Sequence, residues 1–395
     1  MMTQLIGTLL FVVGLLACVY PVYLLVFAIA GLFYRNPQFS ATSAFRKIAV
    51  LIPAYREDAV ILETARDAIM QDYPEACFDV FVIADGLRMD TIKNLTNLPV
   101  RVIPVEFKQS TKVKALRAAM NALAGEGYDA VTILDADNLM QPGFLLRANA
   151  ALESGFKAVQ GLRAPKNARH SIARLDAITE GFNTNIFRRG HRVLGFSSGL
   201  TGSGMTFEWS LFHRFIAESE AIGGFDKELE LELNRHKEPI LYDELAVVLD
   251  EKVSTSANLV RQRSRWMGAQ WHYARRHFMP AMRLLVKERN VAYADKAFQM
   301  ILPPRVLLLV ASALATLFCL AAFDASVAAP WIGVLLGTLA ALLISFPAAH
   351  GQLRFKDLFA IPAVLFSYII ALARSLRANK SFVHTTHHAS AQSAK

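Results

Sequence analysis

The hydrophobic pattern divides the chain into two kinds of segment. From Met1 to Tyr34 no Asp, Glu, Lys or Arg interrupts an apolar run. At about 1.5 Å per helical residue, that run is long enough to cross a hydrocarbon layer of about 30 Å. Toward the other end, Val306–Phe323 and Ala325–Leu353 are also free of those four residues, and the shorter Leu358–Ala373 carries Pro362. The periodicity between these ends is different. Ile48–Ile52, Val80–Ala84, Val100–Val105 and Ala130–Leu134 are apolar runs of strand length, whereas Ala59–Met70, Thr111–Leu123 and Phe144–Leu152 predict helices. Such alternation predicts a parallel-rich sheet with helices on both faces, inserted between transmembrane helices.

Composition sharpens this picture. Of the 395 residues 54% are hydrophobic, and the mean hydropathy of +0.32 is high for a water-soluble enzyme. A cleaved secretory signal is disfavoured, because no basic residue precedes the first apolar run and the run is too long. Arg35, Arg46 and Lys47 follow it, so the positive-inside rule puts the N-terminus outside and the next domain in the cytoplasm. The expected localisation is therefore the inner membrane, crossed several times. Counting Leu358–Ala373 as a span puts the basic tail outside, against the same rule. Cys18, Cys77 and Cys319 show no metal-ligand spacing and read as small apolar residues. The formal charge of +9 suits membrane lipid headgroups or nucleotide-sugar phosphates; no basic run interleaved with aromatics points to nucleic acid.

Candidate chemistry sits where the strands end. In open α/β sheets, ligands bind beyond the carboxyl ends of the strands. Three acidic strand ends occur in succession: Pro53-Ala54-Tyr55-Arg56-Glu57, Asp85-Gly86 and Asp135-Ala136-Asp137. Each alone is explained as a turn or a helix cap; three together point to a site. Two carboxylates one residue apart suit Mg²⁺ or Mn²⁺ carrying a diphosphate.

These motifs, with Asp90 and Lys112-Val113-Lys114-Ala115-Leu116, resemble the nucleotide-binding half of family 2 glycosyltransferases. The resemblance implies a GT-A fold and a UDP-sugar donor. It also implies that Pro53, Ala54, Tyr55, Glu57 and Asp85 hold the nucleoside. Asp135 and Asp137 would then hold the diphosphate and its metal, with Asp137 the more direct ligand. Lys112 reads equally well as a phosphate contact or a solvated surface lysine. Gly202-Ser203-Gly204-Met205 is similar to the family's acceptor-site strand, and a plain tight turn explains it nearly as well. The family places its catalytic base in a Thr-Glu-Asp-like motif at a helix start. Gly224-Phe225-Asp226 matches that context and makes Asp226 the expected base, although Phe225 stands where the family has Glu. Glu228 and Glu230 are alternatives, and Tyr242-Asp243-Glu244, within strand-like Pro239–Val248, is a poorer one.

Gln262-Arg263-Ser264-Arg265-Trp266 resembles the Gln-x-x-Arg-Trp signature of membrane polysaccharide synthases, including those making cellulose, chitin oligosaccharides and hyaluronan. Arg265 can grip a diphosphate, Gln262 can hydrogen-bond a sugar or phosphate, and Trp266 offers a stacking face. The surrounding Asn258–Phe278, rich in Arg and aromatics, also suits a helix lying on the membrane. The expected division is a first span over 1–34, a glycosyltransferase domain over 35–255, interface helices over 256–298, spans over 299–376 and a polar tail over 377–395. That tail, with His384, His387 and His388, reads as a disordered terminus.

The leading expectation is an inverting glycosyltransferase that elongates a β-linked polysaccharide, with a possible homo-oligomer or export partner. The alternative adds one sugar to a polyprenyl-linked lipid acceptor, a reading favoured by the small number of spans. A non-catalytic membrane protein is a third reading, disfavoured because the spans are nearly free of charge and every candidate carboxylate is present.

Overall fold

The computed structural model describes residues 1–40, 44–166, 170–221, 223–253, 255–349 and 353–375. Within these the expected α/β domain is present as an eight-stranded mixed sheet. Its strands are β1 (Ile48–Tyr55), β2 (Phe78–Asp85), β3 (Arg101–Val105), β4 (Ala130–Ile133), β5 (Leu139–Met140), β6 (Ala158–Pro165), β7 (Met205–Glu208) and β8 (Ile240–Asp250), in the order β3-β2-β1-β4-β7-β6-β8-β5. The first four in that order are parallel. Strand β7 then runs antiparallel between β4 and β6, β8 pairs parallel with β6, and the short β5 closes the edge antiparallel to β8.

Successive side chains of a strand point to opposite faces, and β1 is buried on both. Ile48, Val50 and Ile52 pack with Ile61 and Ala65 of α3 (Ile61–Ala68) and Phe144 and Leu145 of α6 (Phe144–Glu153). Ala49 and Leu51 pack instead with Val113 and Leu116 of α5 (Lys112–Ala122) and Phe212 of α9 (Trp209–Glu218). This two-sided burial is why β1 reads as a continuous apolar run. Helix α4 (Met89–Thr96) joins β2 to β3. Helix α5 begins where the Thr111 hydroxyl accepts the Lys114 N–H at 3.2 Å, a side-chain cap.

The remaining helices adjoin the apolar ends of the chain. Helices α1 (Met2–Ala17) and α2 (Val19–Gly31) form one nearly continuous run. Helix α7 (Ser171–Asn183) continues through a π-helical turn, Thr184–Gly190, into the short α8 (His191–Val193). After α10 (Phe225–Arg235) and β8 come α11 (Ser256–Glu288), α12 (Val291–Ile301), α13 (Arg305–Ala322), α14 (Ala325–Ser345) and α15 (Ile361–Ser375). Among the described residues, four stretches are long and apolar enough to cross a membrane: Met2–Gly31, Arg305–Ala322, Ala325–Ala348 and Phe355–Ser375.

The structure changes three expectations. Gly202-Ser203-Gly204 is a turn and not a strand: Gly202 and Gly204 have φ of 86° and 61°, and β7 starts only at Met205. The last apolar segment is longer than Leu358–Ala373, because a 3₁₀ turn, Phe355–Ala360, leads into α15. Helix α11 runs ten residues beyond Phe278, to Glu288. Histidines 384, 387 and 388 lie outside the described residues.

Candidate active site

The parallel strands deliver their carboxyl ends to one place. Tyr55 and Asp85 are paired in register. Just beyond them Arg56 takes a left-handed φ of 56°, and its N–H donates to the Asp85 carbonyl at 3.0 Å. Pro53, Ala54, Tyr55, Glu57, Asp85, Lys112, Asp135 and Asp137 all line a single cavity of about 600 Å³. Burial raises the Asp85 carboxyl above its ordinary value, opposed by a hydrogen bond from Ser110 and the charge of Arg56. Lys112 is not a solvated surface lysine: its Nζ pairs with Asp135 and donates to the Gly202 carbonyl at 2.7 Å. The Asp135 N–H donates to the Ser203 hydroxyl at 2.9 Å. Asp135, Lys112 and the Gly202–Ser203 turn are thus tied together. Asp137 is buried and accepts from Asn138 Nδ2 at 3.1 Å.

Gly204 lies beneath this turn rather than in the cavity lining. A Cβ there would sit 2.8 Å from a Val248 methyl, on a backbone already left-handed, so the close approach and the positive φ both require glycine. Ser203 is fully buried and acts through its bond to Asp135.

Asp226 enters from the first turn of α10, opposite Gly202, where an added Cβ would stand 4.0 Å from Asp226 Cγ. Burial raises the Asp226 carboxyl, with Lys227 and Lys112 opposing and Glu230 reinforcing the shift. A carboxylate with a raised pKa is better suited to accept a proton. The alternatives are engaged elsewhere. Glu228 accepts from the Ser219 hydroxyl and lies 3.5 Å from Arg276. Glu230 is fully buried; it accepts the Leu200 N–H at 2.9 Å and pairs with Lys227 at 3.0 Å and Lys296 at 3.1 Å. Burial opposes its ionisation, but Lys227 and Lys296 pull it down to about 2. Asp243 is held by Arg147 at 2.7 Å and Glu244 by Arg189. Of these five carboxylates only Asp226 lines the cavity.

The opposite wall comes from α11. Gln262, Arg265 and Trp266 line it, and the Gln262 Oε1 is buried without a hydrogen-bond partner among the described residues. Trp266 sits at the rim, 44% exposed, with the Arg263 guanidinium 4.2 Å from its ring centre. Arg263 itself is buried and paired with Asp176.

Several cavity residues escaped the sequence reading. Arg163 and Lys252 hold Asp250 at 2.5 and 2.7 Å, and Arg188 holds Glu180 at 2.7 Å. Asp250-Glu251-Lys252 was within reach, since it closes β8 as a further acidic strand end. Arg163, Glu180 and Arg188 carried no local signal. The last part of the lining is apolar: Tyr20, Phe187, Leu302, Pro303, Val306 and Tyr368, which include residues of three candidate spans.

A GT-A-like sheet with this arrangement of carboxylates at its strand ends defines a nucleotide-sugar glycosyltransferase. The chain matches glycosyltransferase-like family 2 over residues 46–269, more than half its length, and belongs to that family. Two curated relatives are beta-monoglucosyldiacylglycerol synthases. That of Trichormus variabilis is 24% identical over 267 residues, which is 65% of this chain and 54% of the relative. That of Nostoc is 23% identical over the same extents. The chain spans about half the length of these relatives. Among solved structures, a mannosyltransferase from Pyrobaculum calidifontis, determined with GDP-Man and Mn²⁺, superposes with a TM-score of 0.56 at 17% identity, covering 95% of this chain and 99% of that one. Glucosyl-3-phosphoglycerate synthase from Mycobacterium tuberculosis, determined with Mn²⁺, UDP and phosphoglyceric acid, gives a TM-score of 0.40 at 19% identity over 55% of this chain and 77% of its own. The mannosyltransferase supports the fold assignment.

Proposed function

We propose that the protein transfers one sugar from a UDP-sugar to a membrane lipid acceptor, with inversion, at the cytoplasmic face of the inner membrane. The observation that carries this reading is the shared cavity. Asp135, Asp137 and Asp226 line the same space as Tyr20, Val306 and Tyr368, which belong to apolar helices. An amphipathic acceptor can present its hydroxyl to Asp226 while its tail rests on that apolar wall. Asp226 takes the proton of the hydroxyl, whose oxygen bonds to the anomeric carbon from the side opposite the diphosphate. The bond from that carbon to the diphosphate breaks, and UDP leaves. The lipid acceptor of the two curated relatives agrees with this reading.

The donor side suits a divalent ion. Among the described residues no cluster of three or more His, Cys, Asp or Glu side chains could surround a metal unaided. Mg²⁺ and Mn²⁺ ordinarily keep waters and phosphate oxygens beside one or two carboxylates, and Asp137 with Asp135 supplies that set. Bound there, the ion would neutralise charge on the departing diphosphate. Pro53, Ala54, Tyr55, Glu57 and Asp85 hold the nucleoside in this reading, and Lys112 positions Asp135.

Polysaccharide elongation is the second reading, favoured by Gln262, Arg265 and Trp266 in the same cavity. With four candidate spans, it requires a homo-oligomer or a separate exporter. Sizing the products made from labelled UDP-sugars decides between the two readings. A single product that partitions into organic solvent is expected, whereas a water-soluble ladder of lengths favours elongation and contradicts single addition.

A further inference from the structure

Helix α12 reaches α10 with a buried charge. Lys296 is fully buried, and its Nζ pairs with Glu230 Oε1 at 3.1 Å. Glu230 uses its other oxygen to accept the Leu200 N–H at 2.9 Å and to pair with Lys227 at 3.0 Å. The Lys227 ammonium also lies 3.4 Å from the Leu200 carbonyl oxygen. One carboxylate therefore ties together α12, the backbone at Leu200 and the lysine that follows Asp226. Leu200, Gly202, Asp226 and Lys227 line the cavity, whereas Glu230 and Lys296 lie behind it.

Helix α12 is itself held in place. Its cap, Asn290, donates from Nδ2 to the Asn234 and Arg235 carbonyls at the end of α10, at 3.0 and 3.1 Å. Asp295, next to Lys296, accepts the Tyr23 hydroxyl of α2 at 2.7 Å. Packing alone does not need the buried charges, because an ion pair gains little over apolar residues of the same shape. Leu231 of α10 already shares an apolar cluster with Tyr293 and Ala297 of α12. What the charges add is a fixed place for Lys227 and Leu200.

Building on Asp226 as the base, we propose that Lys296 is a positioning residue for transfer: through Glu230 it sets Lys227 beside Asp226 and the Leu200–Gly202 backbone across from it. An acceptor hydroxyl reaches Asp226 between these two walls, so their separation governs its alignment for attack. The charged groups facing Asp226 are Lys227 and Glu230 of α10 and Lys112 of α5, with Tyr273 of α11 nearby. Arg276 of α11 faces Glu228, and Arg188 repels Lys227. Lys227 favours the ionised form of Asp226 and Glu230 opposes it. Without Lys296 the whole charge of Glu230 falls on Lys227, which weakens the support that Lys227 gives Asp226.

The test compares detergent-purified full-length protein with its Lys296→Met, Lys296→Gln and Lys227→Met variants, using radiolabelled UDP-sugar and a membrane-lipid extract across a range of pH. Each variant leaves Glu230 one lysine, so the buried carboxylate keeps a counter-charge. Lys296→Met should lower kcat by about ten- to a hundredfold and leave UDP affinity and acceptor KM within about twofold of wild type. It should also move the acid limb of kcat to higher pH by about half a unit. Lys227→Met should move that limb the same way. Lys296→Gln keeps a donor to Glu230 without the charge; it should behave as Lys296→Met does, and it replaces that variant if Lys296→Met does not fold. An unmoved acid limb in the Lys296 variant, with kcat per folded molecule as in wild type and only Tm lowered, would overturn the proposal, as would loss of UDP binding. Asp226→Asn separates the two claims. Transfer retained in Asp226→Asn overturns the base itself, whereas transfer lost there and unchanged in the Lys296 variant overturns only the role of Lys296.

Discussion

Asp226 and Glu230 lie one helical turn apart on α10 and have opposite electrostatics. Asp226 opens into the cavity with its carboxyl raised by burial; Glu230 is sealed between Lys227 and Lys296 and held at about 2. A base with a raised pKa must lose its proton before it can act, so activity should fall on acidification, with an acid limb above the ordinary carboxylate range. Asp226→Asn should lower kcat by about 10²–10⁴-fold while UDP binding persists; measured transfer near the wild-type rate in that variant would remove Asp226 from the role. Glu230 acts through its partners. Its folded pKa lies below the ordinary 4.5, so its contribution to stability is complete above that value and is lost as pH falls from about 4.5 toward 2. Glu230→Gln would strand two ammonium groups and should cost about 3–5 kcal/mol, seen as a large drop in Tm in detergent. A Tm within a degree or two of wild type would show that the buried pairs contribute little.

The acidic strand ends were readable because parallel strands buried on both faces leave unbroken apolar runs, and the first polar residue after each run marks the mouth of the sheet. That logic located Asp85, Asp135 and Asp137; Asp250 ends the shorter run Leu245–Leu249, which Asp243-Glu244 sets off inside β8. The same logic does not reach β6 and β7, whose antiparallel pairing through four residues of β7 leaves too short a pattern. Nor does it reach the π-helical turn Thr184–Gly190, which brings Phe187 and Arg188 to the cavity. That turn depends on contacts distant in sequence. A Cβ at Gly190 would stand 2.0 Å from the Phe27 carbonyl oxygen on α2, so the two backbones pack with no side chain between them. Gly190→Ala should force them apart at a cost of about 1–3 kcal/mol, checked as a lowered Tm. An unchanged Tm would show that this contact yields freely.

Across the whole molecule, the first apolar helix and the catalytic domain are joined by polar contacts as well as packing. The Tyr23 hydroxyl donates to Asp295 at 2.7 Å and lies 3.0 Å from His191 Nε2, while Gln299 donates to Asp295 at 2.8 Å. None of these pairings could be read from the sequence, since Tyr23, His191 and Asp295 are each more than a hundred residues apart. The alternation of apolar ends with an α/β middle was legible at once, because each follows from local pattern. The route from the sheet to the spans was not, because it is assembled from Tyr20, Arg305 and Tyr368, residues that look ordinary where they stand. With four apolar stretches of spanning length, the protein should stay with the membrane fraction after an alkaline carbonate wash; release into the wash would contradict integral insertion.

In the proposed function one cavity serves both a nucleotide-sugar and a lipid. Its most direct test follows label from a panel of radiolabelled UDP-sugars, with Mg²⁺ or Mn²⁺ and a membrane-lipid extract, into the organic phase. Wild type should yield one organic-soluble glycolipid from one or two of the sugars, and Asp137→Ala and Asp226→Asn should yield none while remaining folded. Label confined to a water-soluble polymer, or an organic product undiminished in Asp226→Asn, would contradict it.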